Sequence, residues 1–401
     1  MTATRTVSKP LVVLLAGGAV LALALGIRQS FGLFLTPMSA DLGWGREVFA
    51  TAIAIQNILW GLTQPLFGAA ADRWGGGRVT VLGGLLYAGG LYLMATAETQ
   101  TGLYLSAGVM IGLALSGTSF AVVLGAIGRA YPPEKRSLAL GIASAYGSFG
   151  QFALVPIGQA SIGMLGWQQT LIYIAVLALV TVALAVPLSG KPQQAAGTAP
   201  QSLATALRLA RGHTGYLYLS AGFFVCGFHI TFIATHMPAY LTDRGLSAGQ
   251  GAAALMLIGL FNIVGSALFG WLGGRYSKKW SLSAIYLARS VAVLFLLYAP
   301  FSQWTAYVFA ASMGLLWLGT VPLTSGLVAQ IFGPQNLGAL FGIVFFAHQA
   351  GAFLGVWMGG YIFDLTGSYD PVWWTAVALG LLAALLHLPI DEKPLVPASA
   401  A

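Results

Sequence analysis

Long apolar stretches follow one another almost without interruption along this chain, from Leu11 to Pro389. Each is about 20 residues long, which is enough for a helix to cross a hydrocarbon core of ~30 Å. Polar and apolar residues do not alternate within them as in the strands of a membrane barrel. Because only helices or closed barrels satisfy the backbone in lipid, the pattern predicts an all-α membrane protein. The twelve predicted transmembrane helices are 11–36, 47–71, 78–97, 102–128, 138–161, 169–188, 216–240, 250–273, 281–299, 303–331, 338–363 and 371–389.

A polar, basic stretch divides this pattern into two halves. Residues 189–215 are rich in Pro, Gln and Ala, as expected of a cytoplasmic linker. The flanking halves are self-similar, since Gly26–Pro37 aligns with Gly227–Pro238 at Gly, Phe and Pro. Repeats of this kind predict two pseudo-symmetric six-helix bundles. The predicted domains are an N-terminal bundle, a cytoplasmic linker and a C-terminal bundle, at 1–188, 189–215 and 216–401.

Composition supports a membrane protein and argues against an enzyme. Charged residues make up 7% of the chain and hydrophobic residues 58%, far from the values of soluble domains. Cys226 is the single cysteine, so an intramolecular disulfide and a thiolate metal cluster are excluded. The sequence has no catalytic, metal-binding or nucleotide-binding motif. We therefore predict no cofactor, no metal site, and transport driven by a gradient.

The net charge is +8, and the positions of the basic residues mainly indicate how the chain is oriented in the membrane. If the N-terminus is inside, Arg46 and Arg244 are the only basic residues between spans that fall on the outer side. This asymmetry follows the positive-inside rule and predicts a multi-pass protein of the cytoplasmic (inner) membrane with both termini cytoplasmic. No nucleic-acid partner follows from it. The basic residues on the inner side are Arg5, Lys9, Arg73, Arg78, Arg129, Lys135, Arg136, Lys191, Arg208, Arg211, Arg275, Lys278, Lys279 and Lys393.

The apolar spans keep cations and exclude acids. None of the 10 Asp and Glu residues lies in the middle of a span, whereas Arg28 and Arg289 do lie within spans. A charge at the bilayer centre costs about 2.5–3.5 kcal/mol on insertion scales, so such residues are functional candidates. The pattern favours an anion pathway, with Arg28 as the carboxylate ligand. The alternative is a structural arginine whose long side chain reaches the interface, and this is what we expect for Arg289.

The loop after the second span has the sequence GAAADRWGGGR, Gly68–Arg78, and a degraded copy follows the eighth span at Gly270–Lys279. It resembles the GxxxDRxGRR signature of the major facilitator superfamily. This resemblance implies twelve helices in two bundles and transport by alternating access. It also implies a conformational latch formed by Asp72, Arg73 and Arg78. The alternative is that these residues only fix topology and cap helix ends.

A finer resemblance concerns the SFGLFL stretch, Ser30–Leu35, which is similar to the monocarboxylate-porter and oxalate/formate-antiporter branch. That branch usually has an arginine in the eighth helix that grips the substrate carboxylate. Here Gly259–Gly270 contains none. The arginine often seen in the fourth helix of proton-coupled members is also missing from Gly108–Gly117. Neither the substrate nor proton coupling can therefore be transferred from the branch.

The repeat places Arg28 over His229, and in the family the first and seventh helices face each other across the cavity. We predict that both contact the substrate, together with residues on the other cavity-lining helices. His236 is a candidate contact for substrate or proton, because histidine exchanges protons near neutrality. Each polar residue has the alternative role of joining helices. The other predicted substrate contacts are His348, Asn57, Gln151, Asn262 and Trp317.

These observations predict a secondary active transporter of a small organic anion, a mono- or dicarboxylate. Protons or a counter-anion are the candidate coupled ions, and the lipid bilayer is the other partner. The nearest alternative is an efflux carrier that exports a toxic or hydrophobic solute, with a structural Arg28. An anion channel and a non-transporting sensor are two further alternatives. The sequence leaves open the direction of transport and the identity of the substrate.

Overall fold

The computed structural model describes residues 10–189, 208, 210–333 and 337–395, except the side chains of residues 133, 134 and 137. These residues are almost entirely helical and contain no strand. The helices of the first part are α1 Pro10–Gln29, α2 Gly32–Leu42, α3 Arg46–Trp74, α4 Gly76–Ala95, α5 Gln100–Leu103, α6 Ile111–Thr118, α7 Phe120–Ala130 and α8 Pro133–Leu184. A π-helical turn, Tyr104–Met110, joins α5 to α6, and a 3-10 turn, Val186–Leu188, follows α8. The second part consists of α9 Thr214–Asp243, α10 Ala248–Arg275, α11 Lys278–Tyr298, α12 Gln303–Leu316, α13 Thr320–Phe332, α14 Leu337–Thr366 and α15 Asp370–His387.

The helices reproduce the twelve predicted spans. Among the described residues, ten helical stretches are long and apolar enough to cross a membrane. One of them, Leu138–Leu184, contains a break at Gly166, whose φ of 79° lies in the left-handed region, and therefore supplies two spans. The remaining predicted span, 47–71, lies within the helix Arg46–Trp74, which is not one of those ten stretches. The predicted all-α membrane class is confirmed.

The chain forms two compact units. Unit 1 contains Met1–Ser30 and Leu59–Gln194, and unit 2 contains Phe31–Ile58 and Ala195–Ala401. Residues 31–58, which we assigned to the N-terminal bundle, thus pack with residues of the C-terminal half, and α3 runs from one unit into the other. The predicted linker lies mostly outside the described residues. The domain boundaries 1–188, 189–215 and 216–401 stay a prediction.

In each unit, two helices approach so closely at one position that only glycine fits. In unit 1, a methyl group added at Gly26 of α1 would overlap the carbonyl of Gly150 in α8. In unit 2, a methyl group at Gly227 of α9 would overlap the carbonyl of His348 in α14, opposite Gly351. Small residues let membrane helices pack backbone against backbone. Both pairs lie in segments that the internal repeat aligns, so the repeat is also a repeat of packing.

The described residues include two further spans that are interrupted near their middle. Ser119 separates α6 from α7 with an extended backbone, and Trp317–Gly319 separates α12 from α13. An interrupted membrane helix leaves backbone groups without intrahelical partners, which nearby side chains must satisfy. Discontinuous helices of this kind form substrate and ion sites in many transporters. The two interruptions therefore define where to look for the site.

Candidate functional site

Arg28 lies in unit 1, in the last turn of α1, and is half-buried. Its guanidinium carbon is 5.0 Å from the ring centroid of Trp60 in α3. A cation over an aromatic face is worth about 0.5–2 kcal/mol. The Trp60 indole N–H donates to the Ser119 hydroxyl at 3.0 Å. Through Trp60, the Arg28 charge is thus adjacent to the interruption between α6 and α7.

Hydroxyl groups gather around this interruption. Thr63 Oγ1 and Ser116 Oγ are 2.8 Å apart, and Ser116 Oγ donates to the backbone carbonyl of Trp60 at 3.3 Å. Ser116 and Ser119 are fully buried. Buried hydroxyls can both donate and accept hydrogen bonds. The Trp60 region of unit 1 therefore combines a positive charge, an aromatic surface and several adaptable polar groups.

His229 lies in unit 2 and is 1% exposed. Its Nε2 is 2.8 Å from the carbonyl oxygen of Ala376. Because a carbonyl only accepts, Nε2 carries the proton and Nδ1 is left as an acceptor. Nδ1 has no hydrogen-bond partner in the described part of the chain. The geometry is that of a neutral histidine with one unused acceptor, and its predicted substrate contact stays a prediction.

The other two predicted histidines are held by neighbours. His236 Nε2 donates to the Val356 carbonyl at 2.8 Å, and its Nδ1 accepts from the Tyr369 hydroxyl at 3.1 Å. His348 Nδ1 is 3.0 Å from Gln349 Oε1. Both ring nitrogens of His236 are occupied, which favours a structural role. Neither role that we predicted for His236 and His348 is tested by these contacts.

The interruption between α12 and α13 brings together two predicted residues, Asn262 and Trp317. Asn262 Oδ1 accepts from the backbone N–H of Leu318 at 3.0 Å. Arg289, which is 0% exposed, donates from Nη2 to the carbonyls of Leu316 and Trp317 at 2.7 and 2.6 Å. A cation at a helix C-terminus is stabilised by the helix dipole. Asn262 and Arg289 therefore stabilise the two sides of the interruption.

The remaining predicted contacts are buried polar groups. Asn57 donates to the carbonyl of Ile53 in its own helix at 2.7 Å, and Gln151 in α8 is 1% exposed. Among the predicted substrate contacts, Arg28 and Gln151 lie in unit 1, and the others lie in unit 2. No single cluster within either unit contains the whole predicted set, so its function as one site stays a prediction.

Sequence reasoning missed a network in unit 2 that is centred on Arg46. The guanidinium of Arg46 donates to both carboxylate oxygens of Asp243 at 2.6 and 2.8 Å, and to the Tyr369 hydroxyl at 3.0 Å. Asp364 accepts from the backbone N–H groups of Arg46 and Glu47 at 2.9 and 2.7 Å. We call Arg46, Asp243, Asp364 and Tyr369 the Arg46 cluster. It joins the start of α3 to the ends of α9 and α14.

The electrostatics of the Arg46 cluster favour the ionised pair. Burial by itself would lower the pKa of the Arg46 guanidinium, but its hydrogen bonds to Asp243 and Tyr369 outweigh that cost and raise the pKa above its ordinary value. Burial raises the pKa of the Tyr369 hydroxyl despite the nearby Arg46 charge. Tyr369 therefore remains protonated near neutrality and can donate to His236.

Comparisons with known proteins decide the family. The sequence profile of the Major Facilitator Superfamily matches residues 14–355 and 259–401. This chain belongs to the major facilitator superfamily. It is a multi-pass membrane transporter and not an enzyme, as the sequence predicted.

Relatives within the superfamily include bacterial and animal proteins. The chain is 27% identical to the uncharacterized MFS-type transporter YcxA of Bacillus subtilis, with 91% of each chain covered. It is 27% identical to monocarboxylate transporter 13 of Rattus norvegicus, over 91% of this chain and 86% of that protein. Identity to monocarboxylate transporter 11 of Homo sapiens is 25%, over 95% and 83%. The predicted resemblance to the monocarboxylate branch is confirmed.

Solved structures confirm the major facilitator fold. A D-xylose-proton symporter superposes with a TM-score of 0.76 at 15% identity, covering 96% of this chain and 99% of that chain. A bacterial homolog of the human lysosomal transporter Spinster, in an inward-facing and occupied conformation, gives a TM-score of 0.74 at 15% identity. It covers 93% of this chain and 92% of that one. At such low identity these likenesses concern the fold alone.

The superfamily signature loop lies between α3 and α4 in unit 1. Asp72 forms an ion pair of 3.1 Å with Arg129 at the end of α7, a partner that sequence reasoning did not name. The Arg73 guanidinium lies over the Trp74 ring at 5.9 Å, and Arg78 is exposed. The latch role of Asp72, Arg73 and Arg78 stays a prediction.

The Asp72–Arg129 pair is expected to contribute little to stability by itself. The Asp72 side chain is 68% exposed, and exposed pairs contribute about 0–1 kcal/mol. Replacing Asp72 with Asn should therefore shift the thermal midpoint of the purified protein by about 2 °C or less. If it acts as a latch, the same variant should change the rate of substrate exchange. A large loss of stability with unchanged exchange would contradict the latch.

Proposed function

We propose that this transporter moves small monocarboxylates or dicarboxylates across the cytoplasmic membrane by alternating access, with Arg28 as the carboxylate ligand. The observation that carries the proposal is the half-buried Arg28 guanidinium over Trp60, beside the interrupted helix. A guanidinium offers a planar fork that matches a carboxylate. A cation kept at this depth is expensive, and an anionic substrate offsets part of that cost.

The names of relatives support the same substrate class. Monocarboxylate transporters 13 and 11 match the chain over more than nine tenths of its length. Protons are the proposed coupled ion, because histidine exchanges protons near neutrality. Within unit 2, the unused Nδ1 acceptor of His229 is our candidate for receiving a proton. A counter-anion is the alternative.

The proposed location is the inner membrane, with both termini cytoplasmic. The support is the uneven distribution of basic residues in the sequence. Arg46 and Arg244 are the only Lys or Arg residues between spans on the outer side. This orientation places the signature loop with Asp72 inside and the Arg46 cluster outside. Binding would then alternate between the two sides as the transporter changes conformation.

Arg28 variants in proteoliposomes test the proposal. With radiolabelled L-lactate inside and unlabelled L-lactate outside, we expect counterflow in the wild type. Arg28→Ala should lower the initial rate by about 10- to 150-fold, because a hydrogen bond to a charged group contributes about 1.5–3 kcal/mol. Arg28→Lys should retain an intermediate rate, since it keeps the charge but loses the planar fork.

Arg275 offers the matched control. Its guanidinium also lies over an indole ring, that of Trp271, at 4.6 Å, but it is exposed at the end of α10. Arg275→Ala should transport L-lactate at the wild-type rate. Undiminished counterflow in well-folded Arg28→Ala would instead favour the exporter of neutral solutes. Flux without counterflow would favour a channel.

A further inference from the structure

We propose that the interruption between α12 and α13 forms a second buried binding site for a small carboxylate, with Arg289 as its charge and Trp317 as an N–H donor. This inference rests on the proposed carboxylate transport. It deepens that proposal by adding a binding site in unit 2. We call Arg289, Trp317, Tyr286, Thr320 and Cys226 the Arg289 site.

The first observation is a buried and incompletely bonded charge. Arg289 is 0% exposed, and only its Nη2 has partners, the carbonyls of Leu316 and Trp317. Its Nε and Nη1 have no hydrogen-bond partner among the described residues. No Asp or Glu in the described part of the chain forms an ion pair with it. A guanidinium is not neutralised in practice, so the buried charge needs an anion.

The second observation is an unused donor on a residue whose backbone Arg289 binds. Trp317, whose carbonyl Arg289 binds, is 0% exposed, and its indole Nε1 has no partner within the described residues. The Tyr286 ring centroid is 5.4 Å from the Arg289 guanidinium carbon. Folded proteins contain few buried polar groups of this kind, and each needs an explanation. Arg289 and Trp317 together leave three such donors, Nε and Nη1 of Arg289 and Nε1 of Trp317, and these indicate a ligand.

The third observation is the local helix geometry. The helix α13 begins at Thr320, so its positive dipole end lies at the interruption. The hydroxyl of Thr320 is buried and lies 3.2 Å from the sulfur of Cys226. Helix N-termini favour anions because their first N–H groups lack intrahelical partners. Charge, donors and helix end together select a carboxylate over a neutral or cationic solute.

A purely structural Arg289 is the competing explanation. The contacts of Nη2 with the C-terminal carbonyls of α12 are those of a helix cap. A helix cap of this kind uses neither the Nε and Nη1 groups of Arg289 nor the indole N–H of Trp317. A substitution at Trp317 therefore separates the two explanations, because it leaves the Arg289 cap in place.

The test measures L-lactate binding to the purified full-length protein by thermal shift. Trp317→Phe should weaken the apparent affinity by about 10-fold or more, because it removes one donor to the carboxylate. Trp373→Phe is the matched control, since Trp373 is equally buried and its indole N–H is also unpartnered, but it packs against Phe232 and Phe309. It should bind L-lactate as the wild type does. Lactamide, the uncharged analogue, should give no shift with any variant.

Cys226 provides a second readout of the same site. It is the only cysteine of the chain and is 0% exposed, so labelling by methyl methanethiosulfonate is slow and reports how often this one position opens to the reagent. L-lactate should slow this labelling several-fold in the wild type and in Trp373→Phe, and less in Trp317→Phe. Arg289→Lys should show the same loss of protection as Trp317→Phe, because lysine lacks the planar fork.

The possible outcomes distinguish this inference from the proposed function. If Trp317→Phe and Arg289→Lys bind L-lactate as tightly as the wild type, Arg289 is only a helix cap and the second site is wrong, even if counterflow depends on Arg28. If L-lactate stabilises the protein and protects Cys226 but no counterflow occurs, the site stands and the transport proposal is wrong. An absence of any thermal shift with L-lactate, together with normal counterflow, would also overturn the site.

Discussion

Arg46→Ala is expected to destabilise the folded transporter by about 2–3 kcal/mol, because one substitution removes a bidentate ion pair, a hydrogen bond to Tyr369 and the contact with the Phe363 ring. The side chains of Arg46 and Asp243 are 13% and 32% exposed. Breaking a fully buried pair costs about 3–5 kcal/mol, and partial exposure reduces that figure through solvent screening. The guanidinium carbon is 3.8 Å from the Phe363 centroid. Thermal unfolding of the purified protein measures the effect.

Asp243→Ala and the double variant complete a thermodynamic cycle. If the pair acts as a unit, the double variant should lose less than the sum of the two single losses, by about 1–2 kcal/mol. Arg244→Ala is the control, because Arg244 directly follows Asp243 in the chain. It donates to the Tyr240 hydroxyl at 2.6 Å and lies over the Phe301 ring instead of pairing with Asp243. Equal losses for Arg46→Ala and Arg244→Ala would contradict the prediction.

The pH dependence of the Arg46 cluster follows from the direction of the arginine shift. A group whose pKa is raised in the folded state stabilises fully below its unfolded pKa, which for arginine lies far above neutrality, and this stabilisation is lost only as the pH rises through the folded pKa. Titration of Arg46 therefore leaves the cluster unchanged from pH 6 to 9. The cluster holds the segment 31–58 to the rest of unit 2, and α3 continues from this segment into unit 1. We therefore expect Arg46→Ala to alter the rate of L-lactate counterflow as well as stability.

Gly351→Ala is expected to cost about 3 kcal/mol, the second large effect. A methyl group at Gly351 of α14 would overlap the carbonyl oxygen of Phe224 in α9. Backbone cannot rotate away as a flexible side chain can, so the two helices must separate and lose contacts along their length. Overpacking of this kind costs about 1–3 kcal/mol and occasionally more. The lowered thermal midpoint of the purified protein is the measurement.

Gly342 provides the matched control in the same helix. Nothing lies within 4 Å of a methyl group placed there. Because glycine is a poorer helix former than alanine by about 0.8–1 kcal/mol, Gly342→Ala should leave stability unchanged or raise it slightly. The two substitutions change the same atoms in one helix, so their difference isolates the close contact with α9. A similar loss for both would show that this contact is not what requires glycine.

Much of the fold could be predicted because lipid imposes simple rules on sequence. The apolar spans follow from the length needed to cross the bilayer, and the internal repeat correctly paired Gly26 with Gly227, which occupy the same packing position in the two units. The interruptions were not predicted. The residues at Ser119 and Trp317–Gly319 lie within apolar stretches, and the breaks depend on distant side chains such as Asn262 and Arg289 that stabilise the exposed backbone groups.

Sequence alone determined the class of this protein: a polytopic helical transporter of the major facilitator superfamily, with cations but no acids inside its spans. Residue type and spacing are sufficient for that, because they fix how each segment meets lipid. Only the tertiary structure decided the partners of those cations. It placed Arg28 over Trp60, Arg289 on the end of α12 and Arg46 between Asp243 and Tyr369. Such contacts join residues far apart in the chain, and a single sequence carries no local signal for them.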